Sequence, residues 1–305
     1  MTTRATNDKV KRVTSVGEIL FDVYPGYKTL GGAPFNFLYH VKKLTGLGNF
    51  ISRIGDDKEG KEIIRFLKTN DIPTEYVQID PEHPTGESIA NLNRLKIPSW
   101  EIKTGTAYDF IELSDDIKAL IANKTDCLYF GTLAQRDVVT RNTVQNFFNM
   151  GLIYFCDLNI RQNFYTENLV RECISVSDVL KLNVDELRLV NEMILKKNFD
   201  TYETPERLLN KYPIKLLCIT YGDQGAVIFK EDKHNHFKVT IDNVVDTVGA
   251  GDAYAAILCI GYLRKWDIEK INRIASEFAG EIVKINGALP ADSVLYDKYK
   301  RIVNE

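Results

Sequence analysis

The stretch Gly249-Ala250-Gly251-Asp252 stands directly before an apolar run that ends at Leu263. Small or absent side chains let backbone N–H groups come close to an anion. A helix behind them would add its free N-terminal donors and the positive end of its dipole. Asp252 could then take a proton from a hydroxyl attacking a bound phosphoryl group. The same residues also suit a plain turn with Asp252 as a helix cap, and local chemistry leaves both readings open. A second such place is Lys181-Leu182-Asn183-Val184-Asp185-Glu186. Asn183 with Glu186 three residues on has the spacing of a capping box. That spacing also sets an amide and a carboxylate on one side of a first helical turn, where both could face a hydrated Mg²⁺.

Three further groups follow apolar runs. In Leu30–Asn36, the glycines Gly31 and Gly32 permit close backbone approach, Pro34 suits a first helical turn, and Asn36 can donate and accept. With Asp22 a short loop upstream, this set suits the vicinal hydroxyls of a sugar; alone it is a turn before a helix. Asp157, Asn159 and Arg161 alternate, and period two points all three one way, into a wet cleft or a polar edge loop. Thr220, Gly222 and Gly225 fit a hairpin turn or a nucleotide-facing loop. The pattern GxxxxGK[ST] is absent, which excludes the usual P-loop. Gly249–Tyr254 lacks the third glycine of GxGxxG and lies far from the first strand, which argues against a dinucleotide fingerprint.

The elements that must position these residues alternate. RVTSVGEIL, NFISRIG, CLYFGTL, LIYFCDLN, DVLKLN and IKLLCITYG read as strands. APFNFLYHVKKL, KEGKEIIRFLKTN, NVDELRLVNEMILKK and ASEFAGEIVKI read as helices. This order predicts an α/β fold with a mostly parallel sheet covered by helices, and ligands beyond the carboxyl ends of its strands. One region departs from it. Thr85–Phe110 and FDVYPGYKTL lack helical period and suggest antiparallel strands, at about 20–30 and 85–110 within a single domain over 1–305. They could stand off as a small β lid that excludes water from a cleft, or extend the main sheet as edge strands.

Composition narrows the class. The chain has 305 residues, 44% hydrophobic and 27% charged, with a formal net charge of -3. That balance argues against a nucleic-acid footprint, and no window approaches the ~18 apolar residues of a membrane span. The polar first twelve residues resemble no signal peptide and read as a tail or the approach to a first strand. The five cysteines form no CxxC, so they read as buried small hydrophobes of a reducing compartment, with the cytoplasm as the expected location. His234 and His236 read as a solvated turn between strands rather than a metal site.

Over nearly its whole length the chain resembles the ribokinase-like PfkB family of carbohydrate kinases. GGAPFN, IGDDKEG, KLNVDE and DTVGAGD carry the likeness in order, and GEILFDVYP, YFGTLAQR and DLNIR resemble the fructokinase-like branch. The resemblance implies a three-layer α/β/α fold with a small β lid and Mg²⁺-dependent transfer from ATP to a sugar hydroxyl. It makes Asp252 the base, with Gly249, Ala250 and Gly251 as the anion hole. Asn183 and Glu186 would organise Mg²⁺ and phosphates, and Thr220, Gly222 and Gly225 would line the nucleotide site. Asp22, Gly32, Asn36 and Arg161 would hold the sugar. Asp246 and the Val248 carbonyl would serve a monovalent cation such as K⁺, and two copies would pair through the lid. The small-molecule sugar expected is fructose. The alternatives are another acceptor (2-keto-3-deoxygluconate, ribose or a nucleoside) or a non-catalytic sugar-binding protein of the same fold.

Overall fold

The computed structural model describes residues 11–92, 98–290 and 294–304. The tail reading for the first ten residues and the part of the lid reading at 93–97 lie outside them. Thirteen strands are described. They are β1 (Val13–Val16), β2 (Leu20–Tyr24), β3 (Tyr27–Gly31), β4 (Asn49–Gly55), β5 (Val77–Asp80), β6 (Gly86–Leu92) and β7 (Pro98–Ile102). The remainder are β8 (Cys127–Phe130), β9 (Ile153–Asp157), β10 (Val179–Asn183), β11 (Leu216–Thr220), β12 (Ala226–Lys230) and β13 (Lys233–Phe237).

Nine strands form one sheet in the order β13-β12-β11-β10-β9-β8-β1-β4-β5. It is parallel from β11 through to β5, and β12 and β13 close its other edge antiparallel. The alternation along each strand explains the layers. Cys127, Tyr129 and Phe155 point into one core, and Leu128, Phe130, Tyr154 and Cys156 into the other. Both faces are apolar, so helices must cover both. On the first face lie α1 (Ala33–Thr45), α2 (Lys58–Thr69), and three helices from the C-terminal part of the chain. On the second lie α3 (Asp115–Lys124), α4 (Val138–Gln145), α5 (Glu167–Val176), α6 (Val184–Val190) and α7 (Glu203–Lys211). The C-terminal three are α8 (Ala250–Leu263), α9 (Ile268–Ile282) and α10 (Val294–Asn304). The apolar run behind Asp252 is α8, packed between α1 and α9 and buried all round, with each buried Leu or Ile worth about 1.5–3 kcal/mol.

The remaining strands form a separate sheet in the order β3-β2-β6-β7, so the region read two ways from sequence stands off the main sheet. Its last strand ends at Ile102, and Ala107–Phe110 is a short 3₁₀ turn rather than strand. A joint connects the two sheets. Asp57, the N-cap of α2, accepts from Gly60 N–H and from both the N–H and the hydroxyl of Thr85, each at 2.7 Å, just before β6. One sequence expectation fails at the edge. His234 and His236 lie on β13, paired with Phe229 and Val227, because the turn sits earlier at Glu231-Asp232. All five cysteines are buried and free.

Candidate active site

The C-terminal ends of β9, β10 and β11 open toward the small sheet, and the site residues gather there. A cavity of about 470 Å³ is lined by Asp22, Gly32, Asn36, Arg161, Asn183, Glu186, Thr220, Val248, Gly249, Gly251 and Asp252, all of them singled out from sequence. A second, more apolar cavity of about 350 Å³ is lined by Thr220, Gly222, Gly225, Ala250 and Gly251, with Val239, Ile241 and Val283 as a greasy wall. The two share Thr220, Thr247 and Gly251, so they meet at the mouth of α8.

That mouth is uncapped. Its N-cap is Gly249 in the left-handed region (φ 79°), with no side-chain cap. Any Cβ there would collide with Ala288 as well as strain the backbone. Asp252 lies in the first turn, and its carboxylate does not cap the helix, which corrects that reading. Asn36 Nδ2 of α1 donates to Asp252 Oδ2 at 2.8 Å instead, and draws the carboxylate into the cavity. Burial pushes the Asp252 carboxyl up to about 6. The Asn36 hydrogen bond holds it down, the charge of Asp157 lifts it, and Lys181 and Arg161 pull it back. Asn36 Oδ1 is buried with no partner, an acceptor left over at the cavity wall.

The mouth of α6 is closed. Asn183 Oδ1 accepts from Glu186 N–H at 2.9 Å, and Glu186 Oε2 accepts from Asn183 N–H at 2.8 Å, a complete capping box. Glu186 Oε1 takes a third N–H, from Ile160 at 2.7 Å, which ties the loop after β9 to α6. Burial lifts the Glu186 carboxyl, with the charge of Asp157 adding to it. Among the described residues no three acidic, His or Cys side chains converge as a metal cage. Each Glu186 oxygen keeps a second lone pair, which fits a Mg²⁺ held through its own water rather than directly.

On the far side, the small sheet supplies an acidic wall. Asp22 pairs in register with Ser88 across β2 and β6, and its Oδ2 fills the space that a side chain on Gly31 would need. Burial lifts its carboxyl to about 7, against the pull of Arg161. Gly32 (φ 109°) has room for no Cβ because the Glu18 carbonyl lies against it. Arg161 reaches the cavity as an exposed residue at the rim. The period-two reading of 157–161 ends at Asp157, since Asn159 turns left-handed (φ 44°), yet all three residues line the cavity. Asp246 lines neither cavity. Its Oδ1 accepts from Val248 N–H and its Oδ2 from Gly287 N–H, both at 3.0 Å, so it ties the loop before α8 to the one after α9.

Sequence reasoning missed several lining residues. Glu18 is 2% exposed, and burial lifts its carboxyl to about 7. Ser88, Trp100 and Ile102 come from the small sheet, and Leu133 and Thr247 complete the wall. Lys181 is buried beside Asp157, its Nζ donating to Asp157 Oδ2 at 2.8 Å. Its position one strand from an acidic residue at a strand end was the available signal.

Two cavities that meet at an open helix mouth, with a carboxylate between them, fit an α/β enzyme that brings two ligands together. Residues 16–292 match the family described as pfkB family carbohydrate kinase, and the chain belongs to that family. It is thus a sugar kinase. A fructokinase of Escherichia coli is 28% identical over 241 residues, 76% of either chain. An ATP-dependent 6-phosphofructokinase of Thermoanaerobacterium thermosaccharolyticum is 27% identical over 288 residues, covering 87% of this chain and 85% of that one. The structure of a Xylella fastidiosa fructokinase with bound ATP superposes with a TM-score of 0.83, covering 97% of this chain and all of the other, at 17% identity. No described helix is long and apolar enough to cross a membrane.

Proposed function

We propose that this sugar kinase moves the γ-phosphoryl group of ATP to a hydroxyl of an uncharged sugar, fructose foremost, with Asp252 as the general base. The observation that carries the reading is the Asp252 carboxylate, held by Asn36 between a polar and an apolar cavity at the uncapped mouth of α8. The apolar cavity suits an adenine ring, and the shared residues Thr220, Thr247 and Gly251 suit the triphosphate between. The polar cavity then takes the sugar, with Asp22, Gly32 and Asn36 toward its hydroxyls and Arg161 at the rim. Closing the four-stranded sheet over it would exclude water from the transfer.

Little covalent chemistry is asked of the protein here, so positioning and charge supply the rate. The acceptor oxygen attacks phosphorus in line, its proton passes to Asp252, and the N–H groups at Gly249–Gly251 receive the phosphoryl oxygens. When bound, Mg²⁺ offsets the charge of the phosphates, and Asn183 and Glu186 are the residues that would hold its water shell. Asp246 and the Val248 carbonyl remain the place for a K⁺ beside the anion hole.

The name of the Escherichia coli relative supports fructose, and that of the Thermoanaerobacterium relative favours a phosphorylated one. Glu18 and Asp22 line the polar cavity with carboxyls suited to sugar hydroxyls, which favours the uncharged acceptor, while Arg161 at the rim is the group a sugar phosphate would have to use. The test is ADP release over a panel of fructose, fructose 6-phosphate, 2-keto-3-deoxygluconate, ribose and nucleosides, with Asp252→Asn as control. Highest kcat/KM with fructose supports the reading. Preference for fructose 6-phosphate or the sugar acid would overturn the uncharged acceptor, and sugar binding without ADP release would favour a non-catalytic binder.

A further inference from the structure

Lys181 is the buried cation of the larger cavity. Its side chain is 7% exposed, it lines the wall, and the parallel register of β9 and β10 sets it directly beside Asp157. The Tyr129 hydroxyl donates to the same Asp157 oxygen at 3.1 Å, which fixes the carboxylate from behind. An ammonium carries three donors, and among the described residues Asp157 is the one partner hydrogen-bonded to Lys181 Nζ. The direction in which the free donors face is given by Gly251. A Cβ built there would lie 3.5 Å from Lys181 Nζ, with no other atom near it. The ammonium therefore stands across from the first turn of α8, which no side chain caps and where Ala250 N–H makes only a long bond to the Thr247 carbonyl, 3.4 Å. Other buried cations serve differently. Arg136 is taken up by Asp109, and Arg53 by Asp80, and neither lines this cavity.

We propose that Lys181 is a catalytic residue of this kinase, its ammonium touching the phosphoryl group in transfer opposite the α8 mouth; the inference rests on the phosphoryl-transfer reading of that site. In the step, a bond forms between the acceptor oxygen and the γ-phosphorus, and the bond from that phosphorus to the β–γ bridging oxygen breaks. The acceptor proton goes to Asp252, and ADP leaves with the bridging oxygen. Lys181 keeps its proton throughout and offsets charge spread over the oxygens in flight, an interaction stronger in the transition state than before it. Asp157 holds the ammonium in place, and its charge keeps the buried pair neutral overall.

The test compares wild type, Lys181→Met, Lys181→Arg, Asp157→Asn and the double variant Lys181→Met/Asp157→Asn. It reads kcat, both KM values, and the affinity for ADP with aluminium fluoride in the presence of the sugar. Lys181→Met should lower kcat by ~10²-fold and weaken the fluoride complex by a similar factor, with KM for ATP and sugar within about threefold. Lys181→Arg should recover part of the loss, and Asp157→Asn, which keeps the ammonium, should lose less than Lys181→Met. The double variant leaves no lone buried charge, so it carries the test if Lys181→Met does not fold. Should the double variant turn over within about threefold of wild type, Lys181 and Asp157 are only a structural pair and the proposal fails. Equal losses in ATP affinity and fluoride-complex affinity would overturn it as well. If wild type itself transfers to no sugar, the phosphoryl-transfer reading fails first; wild-type turnover beside an unaffected Lys181→Met removes only this inference.

Discussion

Two helices begin at the same end of the sheet, and their first turns could hardly be used more differently. At α6, Asn183 and Glu186 satisfy each other's backbone donors, and Glu186 takes a third from Ile160. At α8, a left-handed glycine replaces any capping side chain, and the one carboxylate in the first turn bonds away to Asn36. A helix mouth that answers its own donors fixes geometry. A mouth that leaves them free is available to an anion. Both sequences carry a carboxylate three residues past the N-cap, so the pattern alone does not separate them. The N-cap residue does: Asn183 has an acceptor to offer, and Gly249 has none.

The contrast predicts that damage at the open mouth appears in catalysis and damage at the closed one in stability. The largest effect belongs to Asp252→Asn. We expect kcat to fall ~10²–10⁴-fold with ATP affinity largely kept, read by steady-state kinetics beside nucleotide titration. Near wild-type turnover would remove Asp252 from the role of base and erase the difference between the two mouths.

The pH dependence comes next. With the Asp252 carboxyl pushed up to about 6, the base form is lost as pH falls below that value, so kcat/KM should drop about tenfold per unit there. The stability sign is opposite. Asp252, Asp22 and Glu18 are all raised by burial, to about 6, 7 and 7. Each keeps its proton in the folded state after the unfolded chain has released it near pH 4. Their contribution is therefore present at acidic pH and is lost as pH rises through 6 and 7. The protein without nucleotide should melt at a lower temperature at pH 8 than at pH 5.5, and Asp252→Asn should shrink that difference. A melting temperature that rises over this interval in wild type, unchanged in slope by the variant, would count against buried protonated carboxyls.

Much of this was legible in the chain. The strands could be read because residues such as Cys127, Leu128, Tyr129 and Phe130 are apolar on both faces, which only a doubly covered sheet tolerates. The glycine motifs could be read because close approach demands glycine wherever it occurs. Glu18 could not be read, because it sits in an otherwise ordinary strand-and-turn stretch and is buried only by tertiary packing. Lys181 was hidden for a related reason. A lysine inside a strand looks like an edge residue until the register puts Asp157, 24 residues away, at its side. For Asp252 the local sequence left cap and base both open, since the partner that decides between them, Asn36, is 216 residues distant.

Gly249→Ala tests the open mouth without touching its charge. The substitution forces an L side chain into φ 79° and against Ala288, which should cost about 1–3 kcal/mol and displace the N–H groups of the turn. We expect both a lower denaturation midpoint and a fall in kcat. Adding Ala288→Gly removes the nearer colliding atom but leaves the Cα of residue 288 in the way, so it should recover only part of the stability and none of the backbone strain. Full recovery of turnover in that double variant would mean that the left-handed turn is not needed for the anion hole.

The smallest effect is expected at the closed mouth, and it is the sharpest test of the contrast. Asn183→Ala deletes the acceptor for Glu186 N–H and half of the capping box, while the Glu186 carboxylate still takes the N–H groups of residue 183 and Ile160. Loss of an N-cap side chain costs about 0.5–2 kcal/mol, so the urea midpoint should shift by that amount with the slope unchanged. Were Asn183 only a cap, turnover at saturating Mg²⁺ and its Mg²⁺ dependence would both match wild type. If Asn183 also organises Mg²⁺, the Mg²⁺ concentration for half-maximal rate should rise several-fold beyond the stability change. Asn183→Asp separates the two roles, since an aspartate caps a helix as well as an asparagine does and brings a full charge to the metal. Restored stability with a lowered Mg²⁺ requirement in that variant would give the closed mouth a chemical role besides its structural one; restored stability with an unaltered requirement would leave it as scaffold, and the chemistry to α8 alone.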